Sequence, residues 1–315
     1  MAMKILLAGA SGAMGQALIP RLIELNHQVV GLVGKSSSVA RVDALGAIPV
    51  VVDALDAQAV EACVEKVKPQ VVINQLTAIP GKLDIRHFDR EFALTNRLRT
   101  EGTANLMTAA VNVGCEIFVA QSFAGWPYAR TGRAFKTEDD EFDPNSPSRL
   151  QTTLNALRIL EDTVLSEKRI KGIVLRYGAF YGPHTSISVD GAMTDEIRGR
   201  RVPLVGAGTG VWSFVHIYDA ATATVAAVTS ARPGVYNIVD DDPAPVAEWL
   251  PILAKAADAK PPFCVPSWLA RLLVGEHAVA MMTETRGVSN AKAKRDLAWS
   301  PKWSSWRQGF EQAVR

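Results

Sequence analysis

The chain has 315 residues, 48% of them hydrophobic, and its 34 basic against 32 acidic side chains leave a formal charge of +2. That composition supports a substantial buried core, in one large α/β domain or two lobes sharing an interface, and its charge balance excludes nucleic acid and anionic membrane surfaces as partners. The three cysteines, Cys63, Cys115 and Cys264, stand far apart without metal-ligand spacing, so neither a disulfide framework nor a metal site is expected.

The first apolar run, in "KILLAG", is too short for a secretory leader and passes directly into a glycine turn, so it reads as a strand. "AMGQALIPRLIELN" is then a helix, "QVVGLV" a strand, "VARVDALG" a helix closing on Gly46, and "IPVVVDA" a third strand. "DAQAVEACVEKV" is a helix capped by Asp56, followed by the strand "QVVINQL", a long helix around "TNRLRTEGTANLMTAAVNVG" and the strand "EIFVAQS". A helix around "LNALRILEDTVLSEK" and the strand "IKGIVLRY" complete the regular alternation. Repeated βαβ units of this kind predict a Rossmann-type, doubly wound parallel sheet with helices on both faces and right-handed crossovers. Past Gly182-Pro183 the alternation weakens. The dinucleotide-binding domain is therefore placed at residues 1–182 with returning segments near 211–240, where "SFVHIYDAATATVAAV" and "VYNIVD" rejoin the sheet. Residues 183–210 and 241–315 are assigned to a smaller substrate lobe. No stretch approaches the roughly 20 apolar residues of a membrane helix, and a cytoplasmic location is expected.

"GASGAMG" places Gly9, Gly12 and Gly15 between the first strand and the first helix. Gly9 permits the tight turn, Gly12 lets a pyrophosphate approach the backbone, and Gly15 lets helix and strand pack closely. Ser11, Ala13 and Met14 complete a turn whose free N–H groups and helix dipole face the phosphates. The second strand ends in Lys35 and Ser36, with Arg41 nearby and no carboxylate for the ribose hydroxyls. Cations and hydroxyls there suit a 2′-phosphate, so NADP is the expected cofactor and NAD the alternative. Asp53 and Ala54 after the third strand are assigned to the adenine edge, and Leu76, Thr77 and Ala78 after the fourth to the pyrophosphate and ribose.

With these pieces in order the chain resembles the extended short-chain dehydrogenases/reductases, the NAD-dependent epimerase/dehydratase family, over nearly its whole length. "GASGAMG", "EGTANLMTAA", "VAQSFAGWP", "LRYGAFYGP", "GTGVWSFVHIYDAA" and "SNAKAKRDLAW" carry the resemblance. The family's chemistry implies a helical Tyr-x-x-x-Lys pair that passes a proton while hydride moves to or from nicotinamide, and a Ser or Thr that holds the substrate oxygen. Ser122 matches the last role. The pair itself is missing: anchoring on Glu161 places Thr153 and Leu157 there, anchoring upstream places Ser148 and Thr152, and none of the five tyrosines has Lys four residues on. Relatives acting on nucleotide sugars hold the diphosphate with arginines where this chain has Trp212 and the apolar "HAVAMMTET", with Arg286 displaced toward the closing motif. A small-molecule substrate other than a nucleotide-diphosphate sugar follows.

The remaining proton-donor candidates are Tyr128, Tyr177, His184 or a bound water; Thr153 orients a substrate but is too weak an acid to replace the phenol. His216 is expected to pack beneath the site and Asp219 to cap the helix beginning at Ala220. "KTEDDEFD" reads as a solvated acidic loop, and Trp299 and Trp306 as anchors of the C-terminal segment. The expected activity is that of an NADP(H)-dependent oxidoreductase or epimerase acting on a small carbonyl or alcohol; a catalytically silent NADP(H)-binding sensor is the alternative. The two long helices near 90–112 and 151–168 could pair with those of a second copy, giving a possible homodimer.

Overall fold

A computed structural model describes residues 2–230 and 232–315. β1 (Lys4–Ala8) leads through the glycine turn into α1 (Ala13–Glu24), and β2 (Gln28–Val33) and β3 (Ile48–Val51) follow outward on one side. Asp56 caps α2 (Ala57–Val67) by accepting from the Gln58 and Ala59 amides, and the chain returns beside β1 as β4 (Val71–Asn74). The long helix predicted near residue 100 is built in pieces. A turn over Ala93–Arg97 widens into a π-helical turn at Leu98–Gly102 before α3 (Thr103–Asn112) regains α geometry. β5 (Ile117–Phe123), α4 (Ser148–Ser166) and β6 (Lys171–Tyr177) continue the winding, and β7 (Gly234–Ile238) closes it.

The seven strands are ordered β7-β6-β5-β4-β1-β2-β3 and are all parallel. Strand order reverses between β1 and β4, and ligands of such sheets bind at this crevice, outside the carboxyl ends. Successive residues of each strand feed opposite faces. Ile5, Leu7, Val71 and Val119 pack with α1, whereas Leu6, Val72, Phe118 and Ala120 pack with the α2 and α3 side. Both faces being covered explains why the strands read as continuous apolar runs rather than alternating ones.

Three expectations need correction. "SFVHIYDAATATVAAV" does not rejoin the main sheet as a strand. Phe214–His216 pairs only with Ala179–Tyr181, and the following helix α5 (Ile217–Ser230) packs against α1 instead. That helix starts at Ile217, so Asp219 does not cap it; its carboxylate accepts from the backbone amides of Lys302 and Trp303 and ties the C-terminal loop to the sheet. "KTEDDEFD" is not simply solvated, because Glu138 accepts from the Asn237 amide and buried Asp143 pairs with Arg130. Other anchors fall as expected. Trp299 and Trp306 are buried, and His216 stacks on Trp303 at 3.7 Å. A further apolar cluster around Trp249, Phe214, Trp306 and Phe310 forms the lobe beyond the sheet.

Candidate active site

The glycine turn has the steric signature of a dinucleotide cradle. A Cβ at Gly9, whose φ is +81°, would stand 2.5 Å from the Gln75 carbonyl oxygen, and one at Gly15 would stand 2.2 Å from that of Ala10. Those glycines are demanded by chain packing. Gly12 is different: it is exposed and meets only the Gly9 oxygen, at 3.4 Å, so glycine there keeps open the approach to the α1 N-terminus. No side chain caps that terminus and no acidic residue stands in its first turn, leaving the amides and dipole available to an anion. Ser11, Gly12 and Ala13 share a cavity of about 730 Å³ with Arg41 and Arg315. Lys35 and Ser36 are exposed beyond β2, as is Asp53 beyond β3, where its carboxylate accepts from the Leu55 amide. Thr77 is exposed and the Ala78 amide donates to Thr95 Oγ1, which ties the segment after β4 to the helical turn at Thr95. Among the described residues no group of His, Cys, Asp and Glu could hold a metal ion, and no helix is long and apolar enough to cross a membrane.

At the other end of the crevice, Ser122 is 2% exposed and its hydroxyl donates to Glu161 Oε1 at 2.6 Å. Arg176 grips the same carboxylate through Nε (2.8 Å) and Nη2 (2.5 Å), and its Nη1 donates to Tyr128 Oη, which in turn donates to Asn237 Oδ1 at 2.7 Å. Ser122, Glu161, Arg176, Tyr128 and Asn237 thus form one buried network joining β5, α4, β6 and β7. Burial opposes the Arg176 charge, but the Glu161 carboxylate and the Tyr128 oxygen outweigh it and raise the guanidinium pKa. Burial likewise pushes the Tyr128 phenol up to about 12. Tyr177 lies in the sheet core with its hydroxyl on Thr224 (2.6 Å) and Gln75, and burial raises it further. Neither phenol reaches solvent. His184 sits at positive φ in the exposed loop after Pro183, beside the glycine turn rather than with Ser122.

Thr153 and Leu157 face inward from α4, each 0% exposed. Thr153 Oγ1 accepts from Asn96 Nδ2 at 3.0 Å, and Leu157 packs with Ala124, Tyr128 and Val239. Ser148 and Thr152, the other register, are exposed. In the lobe, Trp212 packs at a tilt against Trp249 and its Nε1 donates to the Met281 carbonyl; Arg286 donates to the Arg130 carbonyl, and Arg130 itself is taken by Asp143 and Glu284. Sequence reasoning overlooked Arg176, Asn96 and Arg99. For Arg176 the available signal was a charged residue inside the apolar strand run "IKGIVLRY"; Asn96 and Arg99 carry no such local mark.

The model of the family described as "NAD dependent epimerase/dehydratase family" matches residues 5–239. The chain belongs to that family. Epimerase/dehydratase-family membership makes it a nicotinamide-dependent oxidoreductase or epimerase. A Streptomyces protein named 3-diazoavenalumate denitrifying reductase is 40% identical over 309 residues, covering 98% of this chain and 99% of the relative. Among solved structures, the Thermotoga maritima UDP-glucose 4-epimerase with UDP-glucose superposes with a TM-score of 0.77 at 22% identity, covering 99% and 97% of the two chains. The Thermus thermophilus UDP-glucose 4-epimerase in complex with NAD gives 0.74 at 22% identity, covering 99% and 98%.

Proposed function

We propose that this chain is an NADPH-dependent reductase whose substrate accepts hydride at a carbon while losing a neutral leaving group, as a diazonium carbon does, so that no proton donor is required. The observation that carries this reading is that none of the five tyrosines has a lysine four residues on, and that Thr153 and Leu157, at the pair positions of the register anchored on Glu161, are both sealed. A carbonyl substrate would leave an alkoxide to be held and protonated. Here the Ser122 hydroxyl already donates its hydrogen bond to Glu161, and the candidate donors Tyr128 and Tyr177 are enclosed with their hydroxyls engaged. The name of the Streptomyces relative, a denitrifying reductase of a diazo compound, supports the same direction.

A bound nicotinamide supplies hydride; for a diazonium carbon the balance is one hydride gained and one dinitrogen lost, the C–H bond forming as the C–N bond breaks. The protein's part is then positioning and exclusion of water. The half-buried rings of Phe123, at the end of β5, and Trp126, just beyond it, would shield a water-labile electrophile, and the glycine turn would hold the pyrophosphate. A nucleotide-diphosphate sugar is disfavoured, because Trp212 is packed into the lobe and Arg130 and Arg286 are engaged within the protein.

With C4-deuterated NADPH and benzenediazonium salts, the product arene should carry the cofactor's deuterium and none from D2O. The enzymic rate should stay flat between about pH 5.5 and 7.5, since no general acid titrates. Solvent deuterium in the product, or turnover of benzaldehyde in preference to the diazonium, would return the reaction to carbonyl chemistry with a donor still to be found. A chain that binds NADPH and turns over neither is the silent binder. The 2′-phosphate is assigned to Arg41, with Lys35 and Ser36 at the same rim. Arg41→Ala should raise the KM for NADPH about tenfold, the worth of one charge-assisted contact, while that for NADH moves less than about twofold. Equal changes for both cofactors would remove the preference for NADP.

A further inference from the structure

Arg99 is 8% exposed, as deeply placed as Arg176, yet it has no carboxylate partner among the described residues. A guanidinium carries five N–H donors. One of them reaches Asn96 Oδ1, at 3.4 Å, and the Phe92 ring lies with its centroid 6.0 Å away. Burial pulls the guanidinium down to about 10, which leaves it charged at neutral pH. A buried cation without a counter-ion is costly, and an uncompensated one is a functional-site candidate. Its placement points the same way. Arg99 stands in the π-helical turn, a local widening that recurs at functional sites. The turn lies between Thr95, which holds the Ala78 amide after β4, and Thr103, which accepts from Asn74 at the end of β4. Asn96, its partner, also holds Thr153 on α4.

From Arg99 a continuous aromatic wall runs to the end of β5. Phe92 stacks on Phe88 at 4.3 Å, Phe88 meets Trp126 edge-on at 6.0 Å, and Trp126 lies 6.3 Å from Phe123, the residue after Ser122. Phe92, Trp126 and Phe123 are half-buried, so each keeps surface to offer.

We propose that Arg99 is the anion-binding residue of the substrate site, and that the substrate is an aromatic carboxylate whose ring lies along the Phe92–Trp126–Phe123 wall while its carboxylate takes the idle guanidinium donors. This deepens the reductase reading and rests on its placement of the site at the carboxyl ends of β4 and β5. A planar fork with free N–H groups suits a carboxylate bidentately, and the adjoining rings supply the apolar contact that an inorganic anion would not use.

The test is binding, without turnover, to the full chain in the presence of NADP+. Calorimetric titration of wild type should find cinnamate at least about tenfold tighter than cinnamamide, with inorganic phosphate far weaker than cinnamate. Arg99→Met should abolish the preference for acid over amide and, by removing an unpaired buried charge, leave the ligand-free thermal midpoint unchanged or higher. Arg99→Lys should retain part of the preference. Equal affinity of wild type for cinnamate and cinnamamide, phosphate binding as tightly as cinnamate, or a preference that survives in Arg99→Met would each overturn the assignment. Failure to reduce any diazonium salt would overturn the reductase reading while leaving this binding result standing.

Discussion

Arg176→Leu should lower the unfolding free energy by about 3–5 kcal/mol, among the largest effects of any single substitution in this chain. The side chains of Arg176 and Glu161 are both nearly fully buried, and the pair is held by two short bonds in fork geometry. Removing the cation strands a carboxylate in the interior beside Ser122 and frees the Tyr128 oxygen from its donor. Glu161→Leu should cost a similar amount for the mirror-image reason. The double variant should recover much of the loss, because two apolar side chains replace a pair whose desolvation roughly cancels its attraction. Urea denaturation of the four proteins measures this directly; losses that simply add would mean the two side chains act independently. The prediction also bears on the site. A charged pair clamping β5, α4 and β6 holds the Ser122 hydroxyl in place, so a loosened network should also weaken ligand binding.

Gly12→Asp should lower affinity for NADPH at least about 100-fold, close to 2.7 kcal/mol, with the fold intact. Gly12 has φ −74° and is exposed, so the backbone accepts a side chain there. The new carboxylate would stand at the α1 N-terminus, where it takes the amides meant for the pyrophosphate and repels its charge. Gly9→Ala and Gly15→Ala are the contrast: each drives a Cβ to 2.5 Å or less from a carbonyl oxygen, and Gly9 also needs its positive φ. Those variants should fail to fold stably. NADPH fluorescence titration beside circular dichroism separates the two outcomes. Wild-type affinity in a folded Gly12→Asp would place the dinucleotide elsewhere.

The parallel sheet, its glycine turn, the Asp56 cap and the absence of a Tyr-x-x-x-Lys pair were all legible in the sequence, because each is written in neighbouring residues. A strand followed by glycines and an amphipathic helix is local chemistry, and so is a tyrosine without lysine four positions on. Periodicity also identifies inward positions, such as Thr153 and Leu157 on α4. It does not identify what an inward polar group meets. Ser122 meets Glu161 39 residues away, Tyr128 meets Asn237 109 residues away, and the Asp219 carboxylate meets amides 83 and 84 residues on. The last of these replaces the expected helix cap with a tie to the C-terminal loop, and the first two engage hydroxyls that the sequence offers as free candidates. Phe214–His216 has a strand's pattern, yet it joined a short two-stranded ladder with Ala179–Tyr181 because β7 already occupied the edge beside β6. Arg99 is the converse. Its sequence context is an ordinary amphipathic helix, and only the packing of that helix over β4 and α4 leaves a buried guanidinium without a counter-charge. Hydrophobic pattern and turn chemistry act over a few residues and can be read in order; the pairing of buried charges and hydroxyls depends on which distant segments the sheet brings together.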